Sequence, residues 1–254
     1  MGTMHCLKVG CADATVIVTA TATFLVDCAN IGDFSNLLPA SKKIRSVFIT
    51  HQHEDHYSGL RYLKDNGYTI DFLIYSPYER RYNDQSVTID EWNEFNALRD
   101  HFVKQGTETR EPYRQDSFDE SWWATNGLKF WIVGPHKSVV TSDTREIHDA
   151  SLVIKADMGD RHCCFTGDAS DTCLEAVADD TKNYCNDILH ASHHGSLNGA
   201  HLEFIKKANA KYTVISTESA VYENVPHPTA LRRYSDNTKE KVYRTDNGSI
   251  KWTF

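Results

Sequence analysis

"ITHQHEDHYSGL", residues 49–60, places three histidines and two acids within six positions. The run "IRSVFIT" before it reads as a buried β-strand, so His51, His53, Glu54, Asp55 and His56 stand where that strand ends. Residues two apart on an extended backbone point to the same side, so His51 and His53 face one way. Asp55 and His56 follow where the chain turns into "HYSGLRYLKDNG", whose Leu60, Leu63 and Gly67 mark a short amphipathic helix with a glycine stop. One pair can therefore face one metal ion and the next pair a second. Imidazole nitrogen and carboxylate oxygen suit zinc, and also take iron or manganese. Glu54 lies between the ligand positions and is expected at the surface.

Working outward, the same chemistry recurs at other strand ends. His148 precedes "ASLVIKAD", Asp168 closes "CCFTGD", and His193 and His194 close "DILHASHHGS". Ligands gathered from several strand ends are how a layered fold builds a rigid site. "HCLKVG", "DATVIVTA" and "TATFLVDCA" are β-rich, the last two forming a hairpin near Ala20 and Thr21. After "YTIDFLIYS", residues 78–126 break the alternation. "TIDEWNEFNALRDHFVKQG" reads as a helix capped by Thr88 or Asp90, and the remainder as long loop. This stretch is expected as an insertion near the site, with Trp122 and Trp123 as a lid, an anchor or an oligomer contact. Strand–helix alternation then resumes to the C-terminus. The expected architecture is α+β: a four-layer αββα sandwich of two mixed sheets, one domain over residues 1–254.

Composition narrows the function. Lys and Arg number 27 against 35 Asp and Glu, for a formal charge of −8. A surface for long nucleic acid is disfavoured, because such binding rests on cations neutralising phosphates. A small phosphate-bearing partner is compatible, since bound cations reverse the local sign. The seven cysteines lack a Cys-x-x-Cys pair and mostly sit in apolar runs. Free thiols in a reducing, cytoplasmic setting are expected. No apolar run reaches the ~20 residues of a membrane helix, so no membrane partner is expected. Oligomeric state leaves no mark.

"HQHEDH", "TGD" and "SHHGS" together resemble the metallo-β-lactamase superfamily, an αββα fold. The resemblance is closest to the metallo-hydrolase-like domain of bacterial competence DNA-uptake proteins. "LKVGCADATVIV", "FLVDCA", "ASLVIKAD", "CCFTGD", "ASHHGS", "HPTALRRY" and "VYRTDNGSI" follow its blocks in order. It covers residues 5–75 and 127–254. Ala12 and Ala29 replace glycines of that pattern, and His148 stands where asparagine is common. The resemblance implies two divalent transition-metal ions, zinc first and manganese or iron as alternatives. His51, His53 and His148 would hold one. Asp55, His56 and His193 would hold the other, with His194 the alternative to His193 and Asp168 bridging. Asp27, His194, Tyr222 and Asn224 would support the ligands or line the substrate wall, and Asp13 resembles Asp27 in placement. Asp55, Asp168 and His227 are the expected catalytic residues. His227, between Pro226 and Pro228, would donate to a leaving oxygen or hold a phosphoryl oxygen.

The activity implied is metal-dependent hydrolysis of a phosphodiester or phosphoester, on a nucleotide-sized substrate rather than long nucleic acid. An acyl-bond hydrolase of lactonase, thioesterase or lactamase type is the alternative, followed by a metal-binding module without turnover. Oxygen chemistry would need an electron partner that this chain does not supply.

Overall fold

The computed structural model describes residues 1–219 and 221–254. The first sheet contains β1 (Thr3–Cys6), β2 (Ala14–Val18), β3 (Thr23–Cys28), β4 (Lys43–Ile49), β5 (Thr69–Tyr75), β6 (Glu108–Arg110) and, at the far edge, β14 (Ile250–Thr253). The second contains β7 (Trp123–Thr125), β8 (Leu128–Gly134), β9 (Val153–Met158), β10 (Arg161–Phe165), β11 (Ile188–His190), β12 (Tyr212–Ile215) and β13 (Lys241–Arg244). Strand order is β14-β1-β2-β3-β4-β5-β6 in one and β13-β12-β11-β10-β9-β8-β7 in the other. Each is mixed. β3 to β6 run parallel in the first, and β10 to β13 in the second; the remaining ladders are antiparallel.

Successive strand residues serve opposite faces. Phe24, Val26 and Phe48 enter the core between the sheets with Phe130 and Ile154. Their neighbours Leu25, Val47 and Ile49 face the outer layer instead. Strands buried on both faces need continuous apolar runs, which is why "SVFI" and "FLV" do not alternate. The outer layer of the first sheet is built by α1 (Glu54–Tyr57), α2 (Gly59–Asp65) and α3 (Ile89–Lys104). Beyond α4 (Lys137–Val140), the second sheet is covered by α5 (Asp171–Asp180), α6 (Leu202–Ala208) and α7 (Pro228–Asn237). This is the four-layer αββα sandwich expected from the sequence.

Residues 78–126 are less loop-like than expected. Thr88 caps α3 in a reciprocal capping box with Glu91. α3 buries Phe95, Leu98 and Phe102 against the first sheet. Two three-residue strands, β6 and β7, close the neighbouring edges of the two sheets. Trp122 and Trp123 pack on the inter-sheet core, and Trp123 stacks on Phe130 with ring centroids 6.0 Å apart. They anchor this edge of the sandwich. Residues 78–87 approach the ligand residues: Tyr78 and Val87 form a small apolar cluster with Val140, Ile147 and Ala150.

Parallel strands deliver their C-terminal ends to one edge, where ligand sites of such sheets form. Thr50 and Leu152 join the two sheets there through a backbone hydrogen bond of 2.8 Å. Gly167 (φ +48) lets the turn before Asp168 press on Thr50; a Cβ would stand 2.3 Å from Thr50 Oγ1.

Candidate metal centre

At that edge the sequence-predicted residues converge. Ligand atoms of His51, His53 and His148 lie within 4.8 Å of one another, as do those of Asp55, His56 and His194. Asp168 joins both neighbourhoods, in the groups His51–His56–Asp168 and His148–Asp168–His193. His51, at the exit of β4, and His53, the N-cap of α1, hold their ring centroids 4.7 Å apart. His148 arrives on the 3-10 turn Ile147–Ala150, 5.2 Å from the His51 ring and 5.0 Å from that of His53.

Residues 9–85 match the family model described as the metallo-beta-lactamase superfamily. The chain superposes over 99% of its length on 99% of YhfI from Bacillus subtilis, a metallo-beta-lactamase fold protein, at 14% identity and TM-score 0.58. CmlA, a diiron beta-hydroxylase from Streptomyces venezuelae, matches all of this chain with 54% of its own, at 13% identity and TM-score 0.61. Human tRNase Z, short form, matches over 100% of this chain and 99% of its own, at 13% identity and TM-score 0.54. The chain has the metallo-β-lactamase fold. No curated protein sequence matches it.

Within this metallo-β-lactamase fold, the outer nitrogens of the histidines set which inner nitrogen is free. His53 Nε2 donates to Ser86 O at 2.7 Å, leaving Nδ1 facing His51 Nε2 at 3.0 Å. His56 Nδ1 donates to Asp27 Oδ2 at 2.9 Å. His194 Nδ1 donates to Ser216 O at 3.0 Å, and His193 Nδ1 to Asn198 O at 3.0 Å. These partners only accept, so each histidine presents an unprotonated nitrogen when neutral. His56 Nε2, His194 Nε2 and Asp168 Oδ1 are buried without hydrogen-bond partners among the described residues. Orphaned buried polar atoms are costly, and a divalent cation among them satisfies all three. That set thus fits one ion, and the clustered nitrogens of His51, His53 and His148 fit a second.

The second set brings in His194, the alternative to His193 in the expected ligand set. Asp55 and His56 meet His194 rather than His193: His194 Nε2 lies 3.3 Å from Asp55 Oδ2. His193 turns the other way, its ring 4.5 Å from that of His148 and its Nε2 3.7 Å from Asp168 Oδ2. Both residues have left-handed backbones (φ 51 and 52). Such residues cost about 1–3 kcal/mol each and persist where surrounding structure enforces them.

Charge divides the centre. Burial, reinforced by His56 and His53, holds the His51 imidazole well below its ordinary value. Burial drives His148 to about 3 against the pull of Asp168. Burial opposes protonation of His56 and His194 too, but the carboxylates prevail: Asp168, Asp27 and Asp55 raise His56, and Asp168 with Asp55 lifts His194 to about 9. Asp168 is held well below the usual carboxylate range: burial would raise it, and His194, His56 and His193 outweigh that.

The remaining predicted residues fall around this centre. Asp27 is buried at the end of β3 and binds Thr50 as well as His56. Asp13 is buried, 3.8 Å from both His194 Nδ1 and His190 Nε2. Tyr222 shares a cleft with His53, Asp55 and Cys11, and burial together with Asp55 raises its hydroxyl's pKa. Asn224 takes a left-handed turn between Tyr222 and Pro226. Glu54 is exposed and paired with Arg61, as expected. His227 makes different contacts: its backbone N–H donates to Gly195 O at 2.8 Å, and its Nδ1 accepts from Thr229 N at 3.1 Å as the N-cap of α7. The sequence reading missed Cys11. Six cysteines are buried, but Cys11 is half-buried near the centre, its thiol raised to about 12 by burial and by Asp168, Asp55 and Asp13. It also missed Ser86, Asn198 and Ser216, which act through backbone carbonyls that side-chain identity does not reveal.

Proposed function

We propose that this chain is a dinuclear metal-dependent hydrolase of phosphodiester or phosphoester bonds, with a nucleotide-sized substrate and zinc as the resident ion. The observation that carries the reading is the pair of buried ligand sets sharing Asp168, with every outer nitrogen of His53, His56 and His194 held by an acceptor. When bound, two such ions supply activated water and positive charge against phosphoryl oxygens. Asp27 and Ser216 O hold His56 and His194 in their tautomers, so no ring rotation accompanies turnover. His227 accepts a backbone N–H on Nδ1, so its neutral ring carries its proton on Nε2. In this reading that N–H would serve as a hydrogen-bond donor to the leaving oxygen.

The fold alone does not select the reaction, since the names of its bearers include a tRNase and a diiron beta-hydroxylase. The blocks resembling the competence-protein domain favour phosphodiester chemistry. The free thiols support a reducing, cytoplasmic setting. Among the described residues no helix is long and apolar enough to cross a membrane. The test is elemental analysis of the purified chain together with turnover of phosphodiesters, phosphomonoesters, lactones and thioesters. Two ions per chain and fastest turnover of a phosphate ester are expected. Faster turnover of a lactone than of any phosphate ester would transfer the site to acyl chemistry.

A further inference from the structure

Beside His148 a cleft of ≈ 540 Å³ opens between residues 81–86 and residues 143–146. Its volume lies within the about 300–1,000 Å³ of small-ligand sites. Arg81 projects from one loop and Arg145 from the other, with Tyr82, Asn83, Gln85 and Thr144 between them.

The acids at this cleft are engaged. Asp84 accepts from Ser86 N at 2.9 Å and Ser86 Oγ at 2.7 Å, and its other oxygen takes the Tyr78 hydroxyl. The Glu146 side chain caps the turn Ile147–Ala150. Asp143 is fully exposed, 3.4 Å from Arg81. The guanidinium donors are not matched in the same way. Arg145 donates from Nη2 to Glu79 O and lies over Tyr78, 5.2 Å from the ring centroid, while its Nε is buried with no partner among the described residues. Among the described residues, Arg81 is held only by contacts of 3.3–3.5 Å to Ser142 O, Asp143 Oδ1 and Thr141 O. Hydrogen bonds weaken at such lengths. The cleft therefore has donors to spare and few free acceptors. A planar guanidinium matches an oxyanion in two-point contact.

We propose that this cleft holds a second anionic group of the substrate, a phosphoryl or carboxylate group a few bonds from the one that reacts at the metal centre. The inference rests on the hydrolase reading and narrows it to small dianionic phosphate esters. It also reconciles a net charge of −8 with an anionic substrate: two placed arginines serve a small dianion, where a long polyanion would need a basic surface.

The test is calorimetric titration of the zinc-loaded full chain with inorganic phosphate, pyrophosphate and phosphonoacetate, in wild type and in the Arg81→Gln/Arg145→Gln variant. Phosphate alone reaches the ions, and its affinity should change less than about twofold. Pyrophosphate and phosphonoacetate should lose roughly tenfold or more, the range of a charged hydrogen-bonded contact. Loss for pyrophosphate alone assigns the cleft to a phosphoryl group, and loss for phosphonoacetate alone to a carboxylate. Equal affinity of both longer anions for wild type and variant overturns the proposal. Arg145 packs on Tyr78, so two single variants guard against misfolding. Arg81→Gln, and Arg145→Lys, which keeps charge but loses the fork, should each weaken the longer anions at least about threefold. These affinities need no turnover, so a chain that hydrolyses nothing would defeat the hydrolase reading while binding still decides the cleft.

Discussion

Asp27 Oδ2 and His56 Nδ1 lie 2.9 Å apart with both side chains buried, and the same carboxylate accepts Thr50 N and Thr50 Oγ1, each at 2.8 Å. One residue at the end of β3 thereby fixes a histidine of α1 and the end of β4. Asp27→Asn keeps the shape and removes the charge that orients His56. Affinity for the second ion should fall ~10–100-fold, the usual cost of losing such a partner. The first ion, on His51, His53 and His148, should change far less. Competition with a chelating dye reads both, and equal weakening of the two ions would contradict the division of ligands.

His193 and His194 separate in the same assay. His194→Ala should remove the second ion. His193→Ala should leave it in place, because its ring faces His148 and Asp168. The opposite pattern would restore the order expected from sequence.

Asp168 contacts both sets, so Asp168→Asn should lower occupancy of both ions and reduce turnover by about 100-fold or more. Elemental analysis and kinetics on one preparation check it. A variant with two ions and full turnover would remove Asp168 from the bridging role.

Metal uptake should depend on pH differently at the two halves. In metal-stripped protein near pH 7, His51 and His148 are neutral, while His56 and His194 are protonated against Asp168 and Asp55. Filling the second half must displace a proton from each of His56 and His194, so its affinity should rise with pH, the His194 part of the rise ending near 9. Filling the first half should release fewer, since neither His51 nor His148 carries a proton to lose. Titration in buffers of different ionisation enthalpy measures both. The sign for stability follows from the same shift. His194 is raised from 6.5 to about 9, so its contribution to the stripped fold is complete below 6.5 and lost as pH rises through about 9. The melting temperature of stripped protein should fall over that window.

Much of this centre was legible because His51, His53, Asp55 and His56 are crowded at one strand end, where local geometry fixes their directions. Asp168 and His148 were legible as polar residues terminating apolar runs. The choice between His193 and His194 was not, since two consecutive left-handed residues void the alternation rule of a strand. β6 and β7 were missed because three residues are too few to show a period. Ser86, Asn198 and Ser216 act through main-chain oxygens, which every residue type carries.

The last prediction concerns the leaving group. Cleavage of a phosphodiester develops charge on an oxygen that a hydrogen-bond donor can stabilise. His227 is held at two points: its backbone N–H binds Gly195 O, next to His194, and its Nδ1 caps α7, which leaves Nε2–H as the ring's donor in the proposed role. His227→Ala should therefore slow cleavage of an alkyl phosphodiester about 100-fold or more, within the range of a hydrogen-bond donor positioned against developing charge. Metal content should stay at the wild-type level. Replacing the cap also costs the start of α7 about 1 kcal/mol, so melting temperature is followed in parallel and His227→Asn, which retains a capping oxygen, serves as the control for folding. A nitrophenyl ester expels an oxygen that carries its charge unaided, so the loss on that substrate should be much smaller. Equal losses on the two esters in His227→Asn would instead assign the ring to a phosphoryl oxygen that bears charge in both reactions. No loss on either would confine His227 to capping the helix.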